Sequence, residues 1–270
     1  MPGGRTASRR SGSGAMTRRV VTRTAWRVAS LAVLLGLWEL AGRTVDTLLL
    51  PTASATVGAL WHLAGTREFW SALWISHQAV VIGFPAAAVL AIPAGLALGR
   101  WTALDRWLDV HLSMLLVTPK SAIMPLIVMA LGLGLMARGV TVFAFAFPVM
   151  VATTRAGLRD IDGRLLEMAR AFGATELHVW RRILLPGTLP AVATAVRLGL
   201  AQAIAGLVAV ELLLVAVGLG HLILTFQADF DAASVYAVVC VVAAEAALLI
   251  RVATLAERRI GAWRGDAVHT

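Results

Sequence analysis

The sequence predicts an all-α integral membrane protein with about six transmembrane helices and one long helical hairpin on the cytoplasmic side. Three observations carry this expectation. Hydrophobic residues fill 59% of the 270 positions and charged residues only 14%, with a mean hydropathy of +0.81. Soluble domains carry about 25% charged residues, so this chain lacks the polar surface to stand in water, and a water-soluble enzyme is excluded. Apolar runs near the length of a bilayer crossing, roughly 20 residues, follow one another with short charged or Gly/Pro-rich breaks between them. The basic residues, which give a net charge of +9, fall largely on one side of those runs.

Residues 1–27 hold seven arginines and no acid among Gly and Ser, and are expected to form a disordered basic cytoplasmic tail. Arg9-Arg10 lacks the hydrophobic context of a twin-arginine signal. The run Val28 to Leu40 could instead be read with the tail as a secretory signal. It leads into Glu39 and Arg43 rather than a small-residue cleavage site, which favours a retained first helix. Residues 28–257 form the transmembrane domain, and residues 258–270 a cytoplasmic C-terminal tail. Helices are expected at about Val28 to Ala41, Ala72 to Leu98, Leu108 to Leu133, Val140 to Thr153, Leu189 to Val217 and Ala233 to Leu255. Pro85, Pro93, Pro125 and Pro148 supply kink positions. Thr52 to Ala64, after Pro51, reads as a short extracytoplasmic interfacial helix.

With the N-terminus inside, nineteen arginines fall on the cytoplasmic side and three, Arg43, Arg67 and Arg138, outside. Lys120, the one lysine, and Arg197 fall within helices. The net charge thus reports orientation and leaves no basic patch for nucleic acid. One cysteine, Cys240, excludes a disulfide within the chain and a cysteine-pair metal site.

Loop 160–186 is long, polar and patterned as two short helices. Leu165, Met168, Ala169 and Phe172 share one helical face. Gly173 supplies a left-handed turn, Thr175 can cap a second helix with Leu177, Trp180 and Leu184 on one face, and Pro186 is expected to end it. The pattern fits a docking element; an interfacial hairpin on lipid head groups is the competing reading.

Glu167-Met168-Ala169, then Gly173, then Ile183-x-Leu185-Pro186 resembles the "EAA" loop of bacterial ABC importer permeases of type I, with Met168 where the pattern has Ala. Leu50-Pro51, Thr118-Pro119-Lys120-Ser121-Ala122 with Pro125-Leu126, Gly132-Leu133-Gly134, Arg155-Ala156-Gly157-Leu158, and Gly206-Leu207-Val208 with Glu211 and Gly218-Leu219-Gly220 are similar to the nitrate, sulfonate and taurine branch. The likeness spans about Val45 to Trp263.

This resemblance implies a permease subunit of an ATP-driven importer in a bacterial inner membrane, working as a pair with a second copy of itself. It implies an extracytoplasmic solute-binding protein and two ATPase subunits, with ATP and Mg on the ATPase and no cofactor on this chain. Coupling would fall to Glu167, Met168, Ala169, Phe172, Gly173, Leu177, Ile183, Leu185 and Pro186. The solute would be small, an anion such as nitrate, a sulfonate or a taurine-like compound. Consistent with a transport subunit rather than an enzyme, the sequence has no Gly-x-x-x-x-Gly-Lys-Ser/Thr phosphate loop.

Polar residues inside the bilayer are costly and usually face a bundle interior. Lys120, Arg197, Gln202 and Glu211 are the candidates for a translocation path, with His77, Gln78 and Glu245 behind them. The structural alternative pairs Lys120 or Arg197 with Glu211 or Glu245. Two other functions remain open on the residues alone. A membrane-embedded enzyme lacks a catalytic set, since Asp160 and Asp162 stand without a metal-ligand cluster. An ion-gradient transporter would usually carry an internal repeat, and none is detected.

Overall fold

The computed structural model describes residues 12–45, 49–214 and 217–265. Among these residues all regular structure is helical. The order is α1 (Gly12–Thr44), α2 (Ala53–Ala64), α3 (Arg67–Arg100), α4 (Thr102–Val117), α5 (Lys120–Leu131), α6 (Leu135–Arg159), α7 (Gly163–Ala171), α8 (Glu176–Val179), a π-turn (Trp180–Leu184), α9 (Leu185–Leu213), α10 (Gly218–Ala228) and α11 (Ala232–Gly265). Four helical stretches, Arg67–Arg100, Leu135–Arg159, Glu176–Leu213 and Ala232–Leu255, are long and apolar enough to cross a membrane, and α4 with α5 makes a fifth if the bent pair is one span.

Several expected boundaries move. The segment Leu108 to Leu133 is two helices bent by 94°, not one. Pro119 forces the residue before it out of the helical region, and Thr118 accordingly sits at ψ 129. Pro85, Pro93, Pro125 and Pro148 all remain inside continuous helices. Residues 12–27, expected to be disordered, are the first part of α1, and α11 runs through 258–265 into the expected C-terminal tail. Residues 1–11 and 266–270 of those two tails lie outside the described residues. Helices α6 and α9 each begin and end away from the expected limits, because Gly134 and the π-turn, not the apolar runs, set their starts.

The core is the sandwich of α3, α6 and α9, with α11 laid against α9. Lipid offers no hydrophobic drive for helix association, so close backbone approach through small residues supplies it. On α3, Gly83, Ala87, Ala91 and Gly95 recur every fourth position and are buried. A methyl group at Gly83 would overlap the Gly139 carbonyl of α6, and one at Gly157 would overlap Ala191 of α9. Fully buried Ala79, Val142, Ala146, Met150, Ala195 and Ala203 fill the remaining space.

A second apolar cluster, with Leu63, Phe69, Ala72, Leu219, Leu222, Ile223, Ala237 and Val238, joins α2, α10 and the starts of α3 and α11 into one end of the bundle. Threonine caps build this end. Thr52 accepts from Ala55 N at 3.2 Å and Thr66 from Phe69 N at 3.3 Å. At the end of α1, Glu39 accepts from Ser54 N at 3.0 Å and Trp38 Nε1 donates to Pro51 O at 3.1 Å.

Helix α10 ends with Phe230 in the left-handed region at φ 57, closing Asp231 N to Phe226 O at 2.9 Å and Phe230 N to Gln227 O at 3.2 Å. A side chain there costs about 1–2 kcal/mol, and Phe230 is 76% exposed, so packing does not offset it. Phe230→Gly is therefore expected to stabilise the fold by about 1 kcal/mol, read as a higher thermal unfolding midpoint of the detergent-purified protein.

Candidate functional site

The loop between α6 and α9 is a compact hairpin closed by a glycine. Asp162 caps α7 by accepting from Arg164 N at 2.9 Å. At its end Gly173 takes φ +73, Gly173 N donates to Arg170 O at 2.9 Å and Ala174 N to Ala169 O at 2.9 Å. That pair of bonds is the Schellman closure a glycine at this position permits. Thr175 starts α8, but its hydroxyl meets His178 Nδ1 at 3.0 Å and makes no side-chain bond to the backbone of the first turn.

Pro186 does not end the second helix. The π-turn carries the chain from α8 into α9 with Leu185 N donating to Trp180 O, and Pro186 follows directly inside the continuing helix, lacking an N–H for the preceding turn. The inserted π-turn rotates the faces. Leu184 and Val179 are buried with Leu158 at the hairpin's base, Trp180 is half-buried, and Leu177 is 60% exposed. The expected face of α7 also splits. Ala169 packs inward together with Leu166, while Leu165, Met168 and Phe172 point out, the last at 84% exposure. Glu167 stands exposed beside them, and Ile183 and Pro186 are half-buried.

Charged contacts fix this end of the bundle. Arg100 at the end of α3 donates from Nε to Glu176 Oε1 of α8 at 2.8 Å. Arg155 on α6 pairs with Asp105 and Asp109 on α4, each at 2.6 Å, and Arg159 also pairs with Asp105. The two acids and the two arginines are each four apart on their helices, so each set lies on one face and meets the other face to face.

At the opposite end, Glu211 in the last turn of α9 is 1% exposed and Arg138 in the first turn of α6 is 6% exposed. Arg138, counted among the extracytoplasmic arginines, points into the bundle at this end. Its Nη1 donates to Ile75 O at 2.8 Å and to Glu211 Oε1 at 3.3 Å. Ser76 Oγ donates to Glu211 Oε2 at 2.8 Å, and Gly220 N to the same oxygen at 3.3 Å. His77 Nε2 meets Glu245 Oε1 at 2.7 Å. Ser76, Glu211, Gly220 and Glu245 line one small internal cavity.

The path candidates separate accordingly. Glu211 takes Arg138 as its ionic partner, and Glu245 takes His77; Lys120 lies over the Phe145 ring, 5.7 Å from its centroid, at the break between α4 and α5. Arg197 and Gln202 are half-buried on α9. The structure brings the hairpin residues together and keeps Lys120 apart from Glu211's network. Asp105, Asp109, Arg100 and Glu176 were not singled out from sequence; the matched i, i+4 spacing of Asp105/Asp109 and Arg155/Arg159 was the available signal.

Known proteins place this architecture. The family described as binding-protein-dependent transport system inner membrane component matches residues 87–262. The taurine transport system permease protein TauC of Escherichia coli (strain K12) is 27% identical over 246 residues, covering 88% of this chain and 90% of that protein. The permease protein SsuC of the same organism, named for aliphatic sulfonates transport, is 30% identical over 197 residues, 70% of this chain and 73% of that protein. A chain of the MetNI methionine ABC transporter in an inward-facing conformation superimposes with a TM-score of 0.57 at 22% identity, covering 74% of this chain and 94% of that one, which shows a shared fold. The match spans the helical sandwich, the glycine-closed hairpin and the charged ends alike, and the chain belongs to the binding-protein-dependent transport system inner membrane components, the permease subunits of ABC importers.

Proposed function

We propose that two copies of this chain form the pathway for a small anion bearing a sulfonate group, with the hairpin of residues 160–186 seated on an ATPase subunit and the α2/α10 end facing an extracytoplasmic binding protein. As a permease the chain is a transport subunit and not an enzyme. The observation that carries the reading is the apolar tip at Leu165, Met168, Phe172 and Leu177, exposed in water yet held by Gly173's turn and by Arg100 to Glu176. A soluble protein surface is the occupant such a rigid knob fits, since a lipid-lying hairpin would not need a fixed tip. Closure of an ATPase pair would then displace the knob and the helix continuous with it.

Taurine and aliphatic sulfonates share one sulfonate anion, which suggests the substrate class. Lys120 is the first residue of α5, where the helix break leaves unbonded N–H groups and a positive dipole end. Lys120, with Arg197 and Gln202 on α9, would lower the barrier to an anion. Six crossings follow if α1 is counted, with both termini inside.

One reconstitution tests this. The chain, its ATPase subunits and binding protein in proteoliposomes should take up taurine or an alkanesulfonate with ATP, and Lys120→Gln and Arg197→Gln should assemble but slow uptake. In a Cys240→Ala background, a cysteine at Thr175 should react only from the cytoplasm and one at Asp229 only from outside. Asp229 labelled from inside alone would overturn the topology.

A further inference from the structure

The start of the short helix α10 is held by side chains of two other helices rather than by its own cap. Val217, which precedes it, makes no side-chain cap. Two of the N–H groups that a helix start leaves unsatisfied are taken by side chains: Leu219 N donates to Ser76 Oγ of α3 at 3.0 Å, and Gly220 N to Glu211 of α9 at 3.3 Å. Arg138 of α6 closes the set on the other carboxylate oxygen. Fit is tight, because a Cβ at Gly220 would lie 2.5 Å from Glu211 Cβ, and Gly218 turns at φ +64 against Ser76 and Glu211.

A packed apolar residue at position 211 would hold α9 in place at no desolvation cost, since buried ion pairs rarely beat hydrophobic replacements of the same volume. What the carboxylate adds is a directional, breakable link. With Ser76 and Arg138 it forms a set of four polar contacts, two of which, from Leu219 N and Gly220 N, hold α10 and would leave those N–H groups unsatisfied if α10 moved. Beyond this link α10 rests on the apolar cluster around Leu222 and Ile223, while His221 and Gln227 face outward.

We propose that Glu211 is a positioning residue for transport: with Ser76 and Arg138 it latches α10 to the membrane helices, and release of this latch passes a partner's docking on the outer end to the pathway. The proposal rests on the importer reading above. It gives Glu211 a role in holding α10, since its two carboxylate oxygens are engaged by Arg138, Ser76 and Gly220 N.

Two measurements test it. In nanodiscs with the ATPase subunits and the taurine-loaded binding protein, Ser76→Ala and the double variant Arg138→Met/Glu211→Leu should assemble normally. Their basal ATP hydrolysis should rise about tenfold toward the stimulated rate, which corresponds to about 1.4 kcal/mol. Unchanged basal and stimulated rates in the double variant would overturn the latch; if that variant fails to assemble, unchanged coupling in Ser76→Ala overturns it instead. Second, spin labels at Gln227 on α10 and Trp74 on α3, in a Cys240→Ala chain, should give a single narrow distance that broadens in the double variant. An unbroadened distance also overturns the proposal. A wild-type complex without ATP hydrolysis would count against the importer reading, while the label distances still judge the latch.

Discussion

Gly157→Val is expected to prevent accumulation of folded protein. The α6 and α9 backbones meet at Gly157, where even the first carbon of a side chain would overlap Ala191, and Thr188 beside it is fully buried. Neither helix can yield alone, because α6 is also sealed against α3 through Gly83 and Gly95. Overpacking costs typically 1–3 kcal/mol where neighbours can adjust, and more where backbone meets backbone. Size-exclusion chromatography of the detergent extract should show loss of the monodisperse peak. Gly58→Ala on α2, with open space around it, should leave that peak unchanged. Combining Gly157→Ala with Ala191→Gly should recover much of the loss of Gly157→Ala, since it moves the methyl group across the contact; no recovery would place the damage elsewhere.

Gly173→Val is expected to abolish transport while leaving membrane insertion intact. No neighbour crowds Gly173, so the cost is conformational: a β-branched residue at φ +73 is strained by about 1–2 kcal/mol or more. Without the bond from Ala174 N to Ala169 O the exposed Phe172 and Leu177 lose their fixed spacing, while the membrane helices, packed elsewhere, keep theirs. ATPase subunits should no longer copurify, and uptake should fall more than about tenfold, as a loss of that size implies. Gly173→Asn should be milder, because Asn enters the left-handed region more readily. Full uptake by the valine variant would remove the hairpin from coupling.

Much of this was legible in the chain. The hairpin's closing glycine, the short helix after Pro51 and the long apolar spans followed from local rules that tertiary packing did not override. What stayed hidden depended on partners distant in sequence. Glu211 reads as an intramembrane acid seeking a cation; its partner proved to be Arg138, which the charge count assigned to the extracytoplasmic loops and so left out of the intramembrane set. Pro186 reads as a stop when the helix before it is taken to end there. Only the π-turn, which leaves no trace in hydrophobic periodicity, reveals that proline as part of a continuing helix.

The π-turn has a mechanical consequence. Because it joins the hairpin to α9 without a loop, residues Glu176–Leu213 form one rod of 38 residues, about 57 Å long at 1.5 Å per residue. A tilt of about 5° imposed at the cytoplasmic tip would swing the far end by about 5 Å over that length, a step close to one helical pitch. Glu211 rides at that far end. A small angular push on one side of the bilayer, carried along this continuous helix, would become a displacement large enough to break hydrogen bonds on the other.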